Sequence, residues 1–370
     1  MDFPFDALRR APDLEGPGLV ASDAADRLLL DESREARDSA PSGSVAVIGD
    51  GYGALTLAAI AEGATDVRVH QDPLTGERAL AWNAAALGFD GAFTSLPLTP
   101  ELVRGARVVL LRLPRSLDAL ADAAALIAAY ADPDVVVYAG GRIKHMSLAM
   151  NDVLSRRFGR VDVTHARQKS RVLVARLPRG GGDPEPRRSE VDGLTVCAFG
   201  GAFAGATVDI GTRMLLAHLP QEVPADGPLV DYACGTGVVA ASLALAHPHR
   251  RVYASDQSAA AVASAHATAA ANGVADRVEV VRDDMLSLLP DAGAAFIALN
   301  PPFHSGAAVT DALAPRMFRD AARVLRPGGE LWTVWNSHLR YRPLLERIVG
   351  PTRQVARDPK FTVTVSTRRG

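Results

Sequence analysis

Two nine-residue segments, one in each half of this 370-residue chain, are built to one plan. Val45-Ala46-Val47-Ile48-Gly49-Asp50-Gly51-Tyr52-Gly53 aligns with Leu229-Val230-Asp231-Tyr232-Ala233-Cys234-Gly235-Thr236-Gly237, in the register that sets Gly51 on Gly235 and Gly53 on Gly237. Each begins as a short apolar run, which reads as a buried strand, and passes through a glycine-punctuated turn into an Ala/Leu-rich helical stretch. Strand, glycine loop and helix in that order open a parallel sheet covered by helices on both faces. In the second half the alternation continues with strands at Leu229–Tyr232, 251–254, Val278–Arg282, Ala294–Leu299, 330–335 and 361–366. Helices are expected at Val238–Ala246, 259–272, 312–325 and 343–349, and the last strand is placed as a hairpin-like edge beside its neighbour.

Further landmarks repeat. Leu87-Gly88 falls where Asn272-Gly273 does, Leu111-Arg112-Leu113-Pro114 falls near Leu299-Asn300-Pro301-Pro302, and 131–137 matches the turn and strand at 326–335. The differences carry information: Val47 stands for Asp231, Gln71 (with Asp72 adjoining) for Asp256, and Arg112 for Asn300. An internal duplication is expected whose first copy kept the fold and lost the Asn-Pro-Pro strand end. Residues 179–190, rich in glycine, proline and charge without apolar periodicity, read as a linker. The expected domains are therefore 1–178 and 191–370.

With 48% hydrophobic and 22% charged residues, the composition is that of a soluble globular protein long enough for two full cores. No segment has the uninterrupted apolar length that spans a bilayer, and Met1-Asp2-Phe3-Pro4-Phe5 lacks a basic-then-apolar signal pattern. Cys197 and Cys234 are the only cysteines, too few for a disulfide framework or a metal cluster, so no metal and a reducing cytoplasm are expected. Oligomeric state is not legible. The net charge of −2 conceals an asymmetry: residues 1–141 carry 11 Lys/Arg against 21 Asp/Glu, whereas 142–190 carry 12 against 5, and 311–370 again 12 against 5. Two basic segments in an acidic chain suit contact with a phosphate backbone; a solvated, charge-balanced surface is the plainer reading.

The chemistry concentrates at strand ends. Asn300-Pro301-Pro302-Phe303 follows the apolar run 294–299 directly. A buried strand ending this way sets a carboxamide oxygen beside a rigid backbone carbonyl, with an aromatic face two positions on. Those groups suit an exocyclic amine on a flat ring, a nucleobase amine or less often a side-chain amide. Read plainly, it is a strand stopped by two prolines. Asp231, four residues before Gly235, distinguishes its loop from the three-glycine dinucleotide fingerprint and suits a cationic ligand such as S-adenosylmethionine; a helix-entry turn with a surface acid competes. Asp256, at the end of the next strand, can accept ribose hydroxyls or cap a helix. Asp283-Asp284-Met285 follows the third strand, where an acid can take an adenine amine and the apolar neighbour can pack on its ring; paired loop acids are otherwise commonly solvated.

In chain order, these features resemble class I S-adenosylmethionine-dependent methyltransferases. The whole chain resembles the bacterial ribosomal RNA guanine-N2 methyltransferases, which pair a degenerate methyltransferase domain with an active one. The resemblance rests on Val208-Asp209-Ile210-Gly211-Thr212, the 231–237 loop, Asn300-Pro301-Pro302-Phe303-His304, Val309-Thr310-Asp311, Gly328-Gly329-Glu330-Leu331, Trp335-Asn336 and Lys360-Phe361. Leu113-Pro114-Arg115-Ser116-Leu117 and Gly140-Gly141-Arg142-Ile143-Lys144-His145 extend it into the first half. Thr310-Asp311 and these first-half stretches favour the large-subunit branch over the small-subunit one, while Tyr232 and Ala233 depart from a more usual small-residue run. The resemblance implies an α/β fold of two tandem Rossmann-like class I methyltransferase domains, the N-terminal one degenerate. S-adenosylmethionine would be held by Asp231, Cys234, Gly235, Gly237, Asp256, Gln257, Asp283, Asp284, Met285 and Asn300. Asn300, Pro301 and Phe303 would act on the N2 amine of a guanine in ribosomal RNA, 23S favoured over 16S, in naked RNA or an assembly intermediate. Arg142, Lys144, Lys169, Arg171 and His304 are the candidate RNA contacts. The rival readings are a glutamine-N5 protein methyltransferase, in which Tyr is typical at the Phe303 position, an adenine-N6 methyltransferase, and a non-catalytic RNA-binding assembly factor.

Overall fold

The structure, a computed structural model, describes residues 3–224, 226–302 and 307–370, the last from residue 312 for its side chains. The chain divides into two compact units, Met1–Glu185 and Pro186–Gly370. In the first, the elements run α1 Ala24–Asp38, β1 Val45–Ile48, α2 Ala54–Ala61, β2 Val67–His70, α3 Leu74–Leu87, β3 Phe93–Ser95 and α4 Pro100–Val103, then β4 Val108–Arg112, α5 Leu117–Tyr130, β5 Val136–Arg142, α6 Leu148–Ser155, β6 Phe158–Val163 and β7 Ser170–Pro178. The second begins with β8 Arg187–Val191 and β9 Leu194–Ala198. It continues with α7 Ile210–Leu216, β10 Leu229–Tyr232, α8 Val238–Ala246, β11 Val252–Asp256, α9 Ala259–Ala271 and β12 Val278–Arg282. β13 Ala294–Leu299, α10 Ala307–Val324, β14 Leu325–Asn336, α11 Arg342–Ile348, β15 Thr352–Arg357 and β16 Phe361–Thr367 complete it.

The two seven-stranded sheets have one topology. Their orders, β3-β2-β1-β4-β5-β7-β6 and β12-β11-β10-β13-β14-β16-β15, are the same when each is counted from its own first strand. Strands in each are parallel except the last two in the chain, which are antiparallel to their neighbours. Both are buried on two faces, which is why β1, β10 and β13 are apolar runs rather than alternating ones. Val45 and Val47 join one apolar cluster and Ala46 and Ile48 the other, on opposite sides of the first sheet. Leu229 and Val230 divide the same way in the second. The duplication read from the sequence is thus a duplication of architecture.

Two features differ from the sequence reading. β16 is no edge; it lies between β14 and β15, and the edge belongs to β15, whose polar Thr352-Arg353-Gln354 start gives no apolar signal. Charged, twisted edge strands resist pairing with other chains, and that purpose hides them from a search for apolar alternation. The stretch 179–190 read as a linker also contains most of β8, which pairs with β9 through Asp192-Gly193, both at positive φ (52° and 81°) as a tight hairpin turn requires. β9 is held from the side by α9 rather than by the large sheet. Ser264 accepts from Phe199 N (2.9 Å), Thr268 from Cys197 N (3.0 Å), and Asn272 both accepts from Thr195 N (3.0 Å) and donates to its carbonyl (2.7 Å). Side chains spaced four apart along one helix face therefore do the work of a neighbouring strand. No described helix is long and apolar enough to cross a membrane.

Gly53 and Gly237 begin α2 and α8 at φ of 97° and 75°. A Cβ on Gly237 would lie 2.8 Å from Ala265 of α9, whereas one on Gly235 (φ 54°) would meet nothing within 4 Å. Gly235→Ala is expected to cost about 1–2 kcal/mol for the left-handed backbone alone. Gly237→Ala should cost about 2–4 kcal/mol because close packing adds to it. Denaturant unfolding followed by the fluorescence of buried Trp332 and Trp335 measures both; equal losses would mean that α9 does not reserve the position for glycine.

Candidate active site

The carboxyl ends of β10, β11 and β13 lie side by side, since Asp231 is in register with both Ala254 and Ala298. Beyond them opens a cleft with about 440 Å³ of unfilled space, part of it exposed to solvent. It is lined by Asp231, Cys234, Gly235 and Thr236 of the glycine loop, by Asn300, by Asp209 and Thr212 at the start of α7, and by Phe203. The loop runs with Ala233, Gly235 and Gly237 at positive φ, so its backbone curls away from side-chain bulk.

Each acid has a defined setting. Asp231 is 3% exposed and accepts a hydrogen bond from Ala240 N (2.8 Å) at the first turn of α8. Burial pushes its carboxyl up to about 7, against the pull of that bond and with the help of negative Asp256. Asp256 accepts from Gly235 N (3.0 Å) and Ser258 N (2.9 Å), tying the second strand end to the glycine loop. The α9 cap is Ser258, so the helix-cap alternative for Asp256 does not hold. Asp283 is 1% exposed, with Ser287 Oγ and Leu288 N (2.9 Å) donating to its two oxygens. Both oxygens thus accept within their own loop, while Asp284 beside it is half-buried. Met285 sits at φ 62°, its sulfur accepting from Tyr232 OH (2.9 Å) and its carbonyl from Ser255 Oγ (3.2 Å). Gln257 receives Arg282 Nε on its carbonyl (3.3 Å). The Cys234 thiol is buried and pushed well above its usual range by desolvation and then by Asp231 and Asp256, so it stays protonated and inert.

Asn300 is half-buried at the end of β13, with Pro301 buried and Pro302 exposed behind it. Its Nδ2 donates to Thr212 Oγ1 (2.9 Å) and more weakly to Asp209 Oδ2 (3.4 Å). Asp209 also caps α7, accepting from Gly211 N (2.9 Å) and Thr212 N (3.4 Å). A Cβ on Gly211 would stand 2.9 Å from Asp209 Oδ2 and 3.1 Å from the ring of Phe361 in β16, so the helix start packs closely there. Asp209 and Thr212 fall in a stretch that carries the family resemblance, but nothing in the sequence alone marks them as neighbours of Asn300. Phe303 and His304 lie outside the described residues.

The first unit shows the same strand ends filled. Arg112, in the place of Asn300, pairs with Asp23 (3.0 Å) and Asp26 (3.1 Å). Gln71, in the place of Asp256, drives its amide nitrogen onto the carbonyls of Asp50 (2.5 Å) and Gly76 (3.0 Å). The N-terminal segment crosses the glycine loop, where Tyr52 OH donates to Asp13 (2.6 Å), Arg10 stacks over the Tyr52 ring at 4.5 Å, and Asn83 bridges Arg9 and Tyr52. The basic candidates gather at one end of this sheet. Arg142 closes β5, Arg171 opens β7 opposite Gly141, and Ile143 N donates to the Lys169 carbonyl (3.0 Å), with Lys144 and Lys169 exposed.

Residues 193–365 match the family described as Methyltransferase small domain, and residues 2–179 match the RLMG N-terminal domain. Ribosomal RNA large subunit methyltransferase G of Streptomyces avermitilis is 37% identical over 96% of this chain and 95% of its own, and its namesake in Shewanella amazonensis is 34% identical over 96% and 94%. The chain belongs to the ribosomal RNA large subunit methyltransferase G family. The large-subunit branch expected from Thr310-Asp311 and the first-half stretches is the one these relatives carry. Among solved structures, the T. thermophilus 16S rRNA N2 methyltransferase in complex with AdoMet and guanosine shares the fold across 96% of this chain and 97% of that one, with a TM-score of 0.73 at 22% identity. Methyltransferase G family membership and the tandem class I methyltransferase architecture therefore agree over the full length.

The raised carboxyl of Asp231 has a stability consequence. A folded-state pKa near 7 against an ordinary value near 4 means that its contribution is fully present below about pH 4 and is lost as pH rises through about 7. Asp231→Asn, which keeps the acceptor for Ala240 N, should raise the melting temperature at pH 8 and leave it nearly unchanged at pH 4. Calorimetry across that range checks it; parallel curves for variant and wild type would place the titration elsewhere.

Proposed function

We propose that this chain transfers a methyl group from S-adenosylmethionine to the exocyclic N2 amine of a guanine in ribosomal RNA, with the large-subunit RNA as substrate. The observation that carries the reading is the fixed carboxamide of Asn300, its nitrogen side engaged by Thr212 and Asp209, in the same cleft as the Asp231–Gly237 loop. The cleft suits the cofactor chemically. Gly235 leaves room for close backbone approach, Asp231 is a buried acid for a cationic group, and Asp256, tied to the Gly235 amide, is the candidate acid for ribose hydroxyls. Asp284 and Met285 are the adenine-side candidates, with Cys234 and Gln257 flanking. When bound, the cofactor supplies an electrophilic methyl on a sulfonium.

This chain's residues prepare the amine. A guanine N2 lone pair is delocalised into the ring and is a poor nucleophile as it stands. Asn300 Oδ1 and the Pro301 carbonyl accept its two hydrogens, which draws the nitrogen toward tetrahedral geometry. Pro302 holds Pro301 extended so that the carbonyl keeps its direction. Phe303 stacks on the base. As the N–C bond forms and the C–S bond breaks, the amine's extra proton leaves to solvent, so positioning carries most of the rate and no strong base is required; His304 serves as an RNA contact. Reaching N2 requires an unpaired or flipped-out base. Arg142, Lys144, Lys169 and Arg171 form the phosphate-contacting surface of the first unit.

Tritiated S-adenosylmethionine with the purified protein and unmodified 23S or 16S RNA, followed by analysis of the labelled nucleoside, tests the reading. N2-methylguanosine in 23S RNA is expected. Label in protein would favour the glutamine reading, label on adenine the N6 reading, and no label a binding role. Asn300→Ala should lower turnover by about a hundredfold or more while cofactor affinity, measured by calorimetry, stays within about threefold.

A further inference from the structure

Resting on that reading of the site, we infer that Thr212 and Asp209 are positioning residues that set which end of the Asn300 carboxamide faces the substrate amine. The oxygen and nitrogen ends of a carboxamide have nearly the same shape, and rotation about the terminal side-chain bond is broad. Packing alone does not choose between them. The wrong choice places an NH₂ donor against an amine donor and removes an acceptor from the site. The choice is made by hydrogen bonding, because Nδ2 donates to Thr212 Oγ1 at 2.9 Å and Asp209 Oδ2 at 3.4 Å, both of them acceptors toward it. Asp209 is itself held by the Gly211 amide at 2.9 Å, so the wall is anchored to the α7 backbone.

The first unit supplies an independent instance of the same device. Asp209 is the N-cap of α7 and Thr212 its third residue; Asp23 is the N-cap of α1 and Asp26 its third residue. In both units the cap and the third helical residue together receive the donor at the end of the fourth strand, Asn300 in one and Arg112 in the other. The cap acid is the same, and the third residue matches the donor: a carboxylate for a guanidinium, a hydroxyl for a neutral carboxamide. A hydroxyl orients the amide without placing another fixed negative charge beside Asp231, whose ionisation already costs the fold.

The test compares wild type, Thr212→Val, which removes the acceptor at nearly constant shape, and Thr212→Ser, which restores it. Turnover on 23S RNA should fall about 10- to 100-fold in Thr212→Val, with S-adenosylmethionine affinity and the Michaelis constant for RNA within about twofold, and recover to within about threefold in Thr212→Ser. In ¹⁵N NMR spectra, the Asn300 side-chain amide protons should exchange slowly in wild type and Thr212→Ser and faster in Thr212→Val. Equal turnover in wild type and Thr212→Val, or a loss that Thr212→Ser does not recover, overturns the positioning role. So does an Asn300 amide that exchanges equally fast in wild type and Thr212→Val, whatever the activity. Wild-type protein that shows a protected amide yet methylates neither RNA overturns the proposed function instead.

Discussion

A hydrogen-bond donor at the end of the fourth strand, received by the first turn of the helix that precedes the sheet, organises the carboxyl edge of each unit. It joins parts of the chain that are far apart in sequence, 88 residues for Asn300 and Thr212 and 89 for Arg112 and Asp23. In the second unit the donor and the third helical residue are neutral, and a cleft lies between that helix and the glycine loop. The first unit uses a fully charged joint and closes the same space. The sheets beneath are alike, so the difference in what the two halves can do lies in a few side chains at one edge.

The charged version makes its own demands. Arg112 meets Asp23 and Asp26, with Asp50 nearby, and burial pushes the Asp26 carboxyl up to about 6 in spite of the guanidinium beside it. Desolvation therefore outweighs pairing for that acid, whereas for Asp23 burial opposes but Arg112 prevails and holds the carboxyl below its ordinary value. Asp231 in the second unit is under the same pressure, with no cation beside it among the described residues. A buried acid left in this condition suits a site that receives a positively charged ligand.

Much of this was legible in the chain. The apolar runs Val45–Ile48, Leu229–Tyr232 and Ala294–Leu299 declared buried strands because both faces of a parallel sheet are covered. The glycines at 51, 53, 235 and 237 declared the turns, and the replacements at Asp231, Asp256 and Asn300 declared which copy had changed. What escaped was set by contacts distant in sequence. β15 is a polar edge with no periodic signal, and Ser264, Thr268 and Asn272 look like a helix's solvent face until β9 is laid against them. Asp283 and Asp284 are equivalent in sequence, and only the fold of their loop shows which of them is buried and holds the turn. Asp209 has no chemical signal of its own in the sequence, because its contact with Asn300 depends on where β13 ends.

The stopped-up edge of the first unit has an implication of its own. Arg10, Asp13, Gln71 and Arg112 are tethered to the loop they cover, so they are present at an effective concentration that a freely diffusing small molecule does not match. The same strand, loop and helix scaffold thus stands in both units, and in the first its carboxyl edge is engaged by side chains of the chain itself.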